Sequence, residues 1–160
     1  MFNPWKLSAL WGKRRVLTPF DVAVLALERG EHEDAYRRLS ELLDAAPLSA
    51  SQRAAVHNKR GVALVNMHRK SEALSDFSAA LDLQPALCAA LVNVGNILLE
   101  DGNIQEAIVR YHAAVRADDT YALAHFNLGA AYKKLGRHDE AVRELRTANR
   151  LEGRPPPKGW

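Results

Sequence analysis

The chain has 160 residues, 48% of them hydrophobic and 26% charged, and its 22 Lys and Arg residues against 19 Asp and Glu residues give a net charge of +3. This length predicts one domain with a continuous core, and the composition excludes a wholly disordered chain. No apolar run approaches the ~20 residues of a membrane-spanning helix, and the single cysteine, Cys88, excludes a disulfide framework and a zinc site built on cysteines.

Residues 1–15 form a basic segment that holds two of the three tryptophans. Its cations interrupt or follow the apolar residues, which is not the order of a secretory signal, so a cytoplasmic location is expected. The composition of this segment predicts a short helix. This helix either docks on a partner complex or on the inner face of an anionic membrane, or covers the edge of the first repeat. Disorder of the segment is the remaining alternative. The expected docking residues are Phe2, Trp5, Leu10, Trp11, Lys13, Arg14 and Arg15.

Residues 16–152 repeat a pattern with a period of about 34 residues. Four alanines are spaced by 38, 34 and 34 residues, and each follows an acidic residue directly: Ala35, Ala73, Ala107 and Ala141. The last three alanines have a glycine twelve positions earlier. The four additional residues in the first interval, 48–51, are expected to lengthen a turn or a helix start. The predicted units are 16–49, 54–87, 88–121 and 122–152.

Each unit is predicted to form two helices. Leu91, Val94 and Leu98 recur at the spacing of one helix face, and Gly102 is placed to end that helix. A second helix begins near Glu106, where an acidic side chain meets the positive end of the helix dipole. No segment alternates with a period of two, so strands are not expected. The expected fold is an all-α solenoid, with a plain helical bundle as the alternative.

The residues at the repeated positions resemble the tetratricopeptide repeat, a 34-residue helix–turn–helix unit. The resemblance rests on Gly95, Ala107, Tyr111, Ala114, Gly129, Tyr132, Ala141 and Ala148. It covers about residues 16–152 and is weakest in unit one, which has Ala23 in place of the glycine. The resemblance implies a right-handed α-solenoid of four units whose first helices line a concave groove. It also implies a protein–protein interaction scaffold or adaptor.

The resemblance assigns polar and apolar side chains to this groove. Asparagine amides both donate and accept hydrogen bonds, so a ladder of them can hold the backbone of an extended peptide. Lysines there would favour an acidic residue or a free carboxylate; the alternative is that the asparagines only solvate the concave surface. The two-carboxylate clamp of chaperone-binding family members is matched poorly. The expected groove residues are Asn58, Lys59, Val62, Asn66, Val92, Asn93, Asn96, Phe126, Asn127, Lys133 and Lys134.

The last eight residues, 153–160, contain three prolines and Trp160. Consecutive prolines forbid a helix and favour an extended polyproline segment. This tail is expected either to anchor in a pocket on another subunit or to have no fixed structure.

No catalytic residue, metal site or cofactor is predicted. The sequence has no phosphate loop and no nucleophile elbow, and its six histidines do not show the helical spacing of a zinc site. His57 and His125 fall at the same repeat position, which packing explains better than metal binding. The chain is therefore not expected to be an enzyme.

The net charge is unevenly distributed along the chain. Residues 1–15 carry +4, residues 143–160 carry +3, and residues 16–142 carry −4. The repeat body is therefore mildly acidic, and nucleic acid is not an expected partner. The main expectation is an adaptor that binds another protein. The alternatives are a structural subunit or assembly factor tethered through residues 1–15 to a membrane-bound or multi-subunit complex, and self-association by end-to-end stacking.

Overall fold

The computed structural model describes residues 16–45 and 47–153, and within these ranges the chain forms eight α-helices and no strand. The helices are α1 (Pro19–Glu28), α2 (His32–Ala45), α3 (Ala50–Asn66), α4 (Lys70–Leu83), α5 (Cys88–Glu100), α6 (Ile104–Ala117), α7 (Ala122–Lys134) and α8 (His138–Leu151). None of these helices is both long and apolar enough to cross a bilayer. The predictions for residues 1–15 and for the proline-rich tail beyond residue 153 lie outside the described residues.

The helices stack in chain order. The largest contacts join α3 with α4, α5 with α6 and α7 with α8, and the second helix of each pair packs on the first helix of the next. Helix α1 packs on α2 and α3 and does not contact α7 or α8, so the helices do not close into a bundle. Contacts restricted to neighbouring units define a solenoid. The all-α solenoid predicted from the sequence is confirmed.

The four residues added between the first two units lengthen a helix. Helix α3 has 17 residues, whereas α5 and α7 have 13 each. The additional turn begins with a capping box, in which Ser49 Oγ accepts from Gln52 N at 3.2 Å and Gln52 Oε1 accepts from Ser49 N at 2.9 Å. This reciprocal cap satisfies backbone donors that would otherwise be unpaired at the helix start.

A residue in the left-handed conformation follows the first helix of each pair. Gly30, Gly102 and Gly136 have φ values of 77°, 83° and 73°, which glycine adopts without a steric penalty. In unit two the position is occupied by His68, with a φ of 59°. The missing glycine therefore leaves the turn geometry unchanged, although a residue with a β-carbon costs roughly 1–2 kcal/mol there.

Small residues let the paired helices approach closely around a buried aromatic ring. A β-carbon on Gly95 would lie 2.5 Å from Cε1 of Tyr111, and one on Gly61 would lie 2.6 Å from Cε1 of Phe77. Both rings are fully buried. The repeated glycine is therefore required by the aromatic side chain that follows it sixteen positions later.

A buried charged cluster joins the helices of unit two to unit one. Asp76 is only 5% exposed, and its carboxylate accepts from Arg60 Nη2 at 2.7 Å and from Arg60 Nε at 2.8 Å. His57 Nδ1 lies 2.9 Å from Asp76 Oδ1, and Arg60 also donates to Ser40 Oγ in α2 at 3.2 Å. Hydrogen bonding to the Asp76 carboxylate raises the pKa of the Arg60 guanidinium.

The histidine of this cluster has a counterpart in unit four. His125 Nδ1 lies 2.7 Å from Glu144 Oε2, and its Nε2 lies 3.0 Å from the carbonyl oxygen of Asp119. In both units the carboxylate stands nineteen residues after the histidine and links the two helices of the pair. Each of these histidines is therefore held by a carboxylate within its own unit.

Candidate functional site

Two asparagine pairs link the first helices of adjacent units. Asn93 in α5 donates from Nδ2 to Oδ1 of Asn58 in α3 at 3.0 Å. Asn127 in α7 donates from Nδ2 to Oδ1 of Asn96 in α5 at 3.1 Å, and the Tyr111 hydroxyl donates to the same oxygen at 2.8 Å. These bonds fix the orientation of the amides without any ligand.

Part of each amide is left for a ligand. An asparagine side chain has two donors and an acceptor oxygen with two lone pairs. In the part of the chain that the structure describes, Asn93 and Asn127 each donate one N–H to these pairs, and no hydrogen bond there uses their Oδ1 atoms. Those oxygens can accept from backbone N–H groups, and Nδ2 of Asn96 can donate to a carbonyl. This set of donors and acceptors matches an extended peptide backbone.

A pocket of about 120 Å³ lies between α3 and α5 beside the asparagine pairs. Four of the predicted groove residues line it together: Val62, Asn66, Asn93 and Asn96. Glu100, at the end of α5, adds a carboxylate to the lining, and Lys70 Nζ lies 3.5 Å from Glu100 Oε2. The pocket thus combines an apolar wall with amide groups and one ion-paired carboxylate.

Two predicted groove residues do not offer a surface to a partner. Val92 is fully buried in the hydrophobic core, and Asn58 is 6% exposed where it accepts the bond from Asn93. The expectation that Val92 contacts a partner is therefore wrong, and Asn58 acts through Asn93. The physical reason is stacking, because the following unit packs over this repeat position.

The same repeat position behaves differently in unit four. Phe126 stands 34 residues after Val92 and is 52% exposed. Leu123, three residues earlier on the same helix face, is 45% exposed. Among the described residues no further unit follows α8, so nothing in these ranges covers the two side chains. Within the described ranges, α7 therefore presents an apolar surface formed by these two side chains.

The predicted lysines lie outside the pocket between α3 and α5. Lys59 in α3 is partly buried, whereas Lys133 and Lys134 are exposed in the last turn of α7. The structure therefore does not bring the three lysines together with the amide groups at one point. They are distributed along the first helices of units two and four.

Tyr111 contributes to the orientation of these amides, although from the sequence it is expected only to fill the space between the helices. Its hydroxyl orients Asn96, which in turn receives the bond from Asn127. Burial, with a smaller contribution from the Glu100 charge, raises the pKa of Tyr111 to about 12. A tyrosine at this repeat position, where unit two has Phe77, is the sequence signal that could have indicated this function.

The raised pKa of Tyr111 predicts a loss of stability in alkali. The folded protein holds the phenolic proton more tightly than the unfolded chain, whose pKa is about 10. The stabilisation is complete below pH 10 and is lost as the pH rises to about 12. Urea unfolding should therefore show a steeper fall in free energy over this range for the wild type than for Tyr111→Phe. Equal slopes would contradict the assignment.

Among the described residues, no three His, Cys, Asp or Glu side chains cluster in a way that could hold a metal ion. The polar groups that converge here are amides, one ion-paired carboxylate and a phenol with a raised pKa. Such groups can bind and orient a ligand by hydrogen bonds.

Solved structures of several proteins share this architecture. MamA is 21% identical, with a TM-score of 0.69 over 93% of this chain and 85% of its own. YrrB, described as a TPR protein with an unusual peptide-binding site, is 19% identical, with a TM-score of 0.64 over 84% of this chain and 68% of its own. The first TPR of Spaghetti (RPAP3), bound to the HSP90 peptide SRMEEVD, is 22% identical, with a TM-score of 0.62 over 66% of this chain and 83% of its own. These likenesses show a common fold.

Family models give the same assignment from the sequence. Models of the tetratricopeptide repeat match residues 58–108 and 122–154, and a TPR repeat model matches residues 95–136. Together the matches extend over residues 58–154, which includes the three units with the most regular spacing. The repeat phase, the stacked helix pairs and these matches agree, and the chain belongs to the tetratricopeptide repeat family.

Proposed function

We propose that this protein is an interaction scaffold that binds an extended segment of a partner protein along its concave face. The observation that carries the proposal is the set of oriented amides of Asn93, Asn96 and Asn127. Three hydrogen bonds hold them in place: Asn58 accepts from Asn93, Tyr111 donates to Asn96, and Asn96 accepts from Asn127. A binding surface that is already ordered loses less conformational entropy when the ligand arrives.

The amides can form hydrogen bonds with the backbone of a bound peptide, and the neighbouring side chains determine which of its residues are preferred. Val62 in unit two lines the pocket beside the amides, and Phe126 is exposed in unit four. These apolar groups would accept apolar side chains of the bound segment. Lys133 and Lys134 would attract an acidic residue or a free carboxylate. The preferred ligand is therefore an extended peptide with apolar and acidic side chains.

Two proteins of similar fold support this class of ligand. YrrB is described as having a peptide-binding site, and the first TPR of RPAP3 is seen with a peptide whose sequence, SRMEEVD, contains three acidic residues. Their identities to this chain are 19% and 22%, so they support the kind of ligand and not a particular partner.

The affinity for a peptide selected from a display library tests the proposal. Screening a random peptide display library on the immobilised protein supplies the probe, and its affinity is then measured by fluorescence anisotropy. Since each amide hydrogen bond contributes about 1 kcal/mol, Asn93→Ala with Asn127→Ala should weaken binding roughly 10- to 100-fold. Asn103→Ala is the matched control, because Asn103 is exposed before α6 and makes no side-chain cap there. Unchanged affinity in a folded double variant would contradict the proposal.

We infer a second role, self-association, from the exposed apolar side chains of α7. The exposed Leu123 and Phe126 form an apolar surface on α7, and a second copy of the chain could cover it. Light scattering of the purified protein should then show a dimer or larger species that Phe126→Ser converts to a monomer. A monodisperse wild-type monomer at high concentration would contradict this role.

A further inference from the structure

A larger pocket lies where α1 begins, α2 ends and α3 begins. Its volume is about 380 Å³, within the range of ligand pockets. Its lining is mainly apolar, with Phe20, Leu42, Leu48 and Val56 beside the polar Thr18 and Gln52. Leu48 and Gln52 belong to the added segment and the additional turn of α3, so this pocket depends on the feature that interrupts the 34-residue period.

The described part of the chain starts beside this pocket, directly after residues 1–15. Thr18 lies in the pocket wall, and Val16, two residues earlier, is 88% exposed. Trp11 stands seven residues before Thr18, and seven extended residues span up to about 23 Å, which is ample to reach the pocket. A tether this short gives an effective concentration in the millimolar range. Residues 1–15 therefore reach this pocket more readily than a separate molecule does.

The charges of the two regions are complementary. Residues 1–15 contain four basic residues and no acidic residue. Residues 16–46 contain seven acidic and three basic residues, whereas residues 47–142 contain ten of each. The net negative charge of residues 16–142 therefore lies within residues 16–46, next to the basic segment.

The outer side of α2 carries much of this negative charge. Glu33, Asp34, Glu41 and Asp44 line a shallow depression there. Arg37 pairs with Asp34 and with Glu41, and Arg38 also pairs with Asp34, so the four carboxylates of the depression face two guanidinium groups. Asp44 lies in the last turn of α2, two residues after Leu42, so the acidic surface and the apolar pocket are neighbours along the helix but lie on different faces of it.

We propose that residues 1–15 dock on unit one of the same molecule. The side chains of Leu10 and Trp11 occupy the pocket of Phe20, Leu42 and Leu48, while the basic residues 13–15 lie against the acidic surface of α2. The segment thereby covers apolar surface of the unit that departs most from the repeat pattern. This proposal is independent of the concave groove.

Tryptophan fluorescence tests the docking in the full chain. Trp160→Phe leaves Trp5 and Trp11 as the only tryptophans and is the reference protein. We expect at least one of them to emit at shorter wavelength than N-acetyl-tryptophanamide and to be quenched several-fold less by acrylamide. Leu48→Lys should abolish this protection, whereas Leu83→Lys, at an exposed leucine in the last turn of α4, should preserve it. Full exposure in the reference protein, or protection that survives Leu48→Lys, would overturn the proposal.

A variant within the segment provides a test that leaves the repeats untouched. Lys13→Glu, Arg14→Glu and Arg15→Glu together should also expose the tryptophans, because they place acidic groups against an acidic surface. Retained protection in this triple variant would overturn the electrostatic part of the proposal. Protection that disappears on dilution would show docking between molecules and overturn docking within one.

Lipid vesicles distinguish docking from membrane attachment. The probe is a vesicle of phosphatidylcholine with phosphatidylserine, and co-sedimentation measures binding. If unit one holds the segment, the reference protein should bind these vesicles several-fold less than Leu48→Lys, which releases the segment. Equal binding by the two proteins would show that the segment is already free and would overturn the proposal.

Discussion

Replacing Asp76 by alanine is expected to lower the free energy of unfolding by about 3–5 kcal/mol, which is the usual effect of removing one partner from a buried ion pair. The carboxylate receives two hydrogen bonds from Arg60 and lies 2.9 Å from His57 Nδ1. Its removal leaves the Arg60 guanidinium partly buried without a counterion. Urea unfolding followed by circular dichroism measures the change.

A double variant separates the charge effect from the packing effect. Arg60→Met with Asp76→Leu removes both charges and keeps most of the volume, so it should cost less stability than Asp76→Ala alone. If Asp76→Ala lowers the free energy of unfolding by less than about 1 kcal/mol, the pair contributes no more than an exposed surface salt bridge. That result would contradict the account.

Phe77→Ala is expected to cost about 3–5 kcal/mol of unfolding free energy, because it removes a fully buried ring and leaves a cavity. The ring fills the space opened by Gly61, where a β-carbon would lie 2.6 Å from Cε1 of Phe77. Because the ring packs between α3 and α4, its loss should appear as a lower free energy of unfolding in urea.

The close approach of Gly61 and Phe77 provides an internal control. Gly61→Ala should destabilise the wild type, because the added methyl group meets the ring. The same change should stabilise Phe77→Ala, since alanine favours a helix by about 1 kcal/mol over glycine and fills part of the cavity. A destabilising effect of Gly61→Ala in both backgrounds would contradict this packing.

The architecture could be predicted from the sequence because the same turn and helix signals recur in several repeats. Gly102 and Gly136 predict the turns, and the four additional residues, 48–51, predict a longer turn or a longer helix start, of which the structure has the second. His68 shows that the turn persists without glycine, since the packing of the flanking helices determines the backbone there.

The exposure of single side chains could not be predicted in the same way. Val92 and Phe126 occupy the same repeat position, yet one is fully buried and the other is exposed. The difference depends on whether another unit packs over the position, which the local sequence does not encode. The partners of Asp76 were also not predicted, because Arg60 lies sixteen residues away and meets it only through the alignment of two antiparallel helices.

The central claim, that the oriented amides bind a peptide backbone, is tested most directly by an N-methyl scan of the selected peptide. Each backbone N–H is methylated in turn, and the affinity is measured for the wild type and for Asn93→Ala with Asn127→Ala. The account predicts one or two positions at which methylation weakens binding to the wild type about tenfold, with little further loss in the double variant. Methylation effects of equal size in both proteins would contradict it.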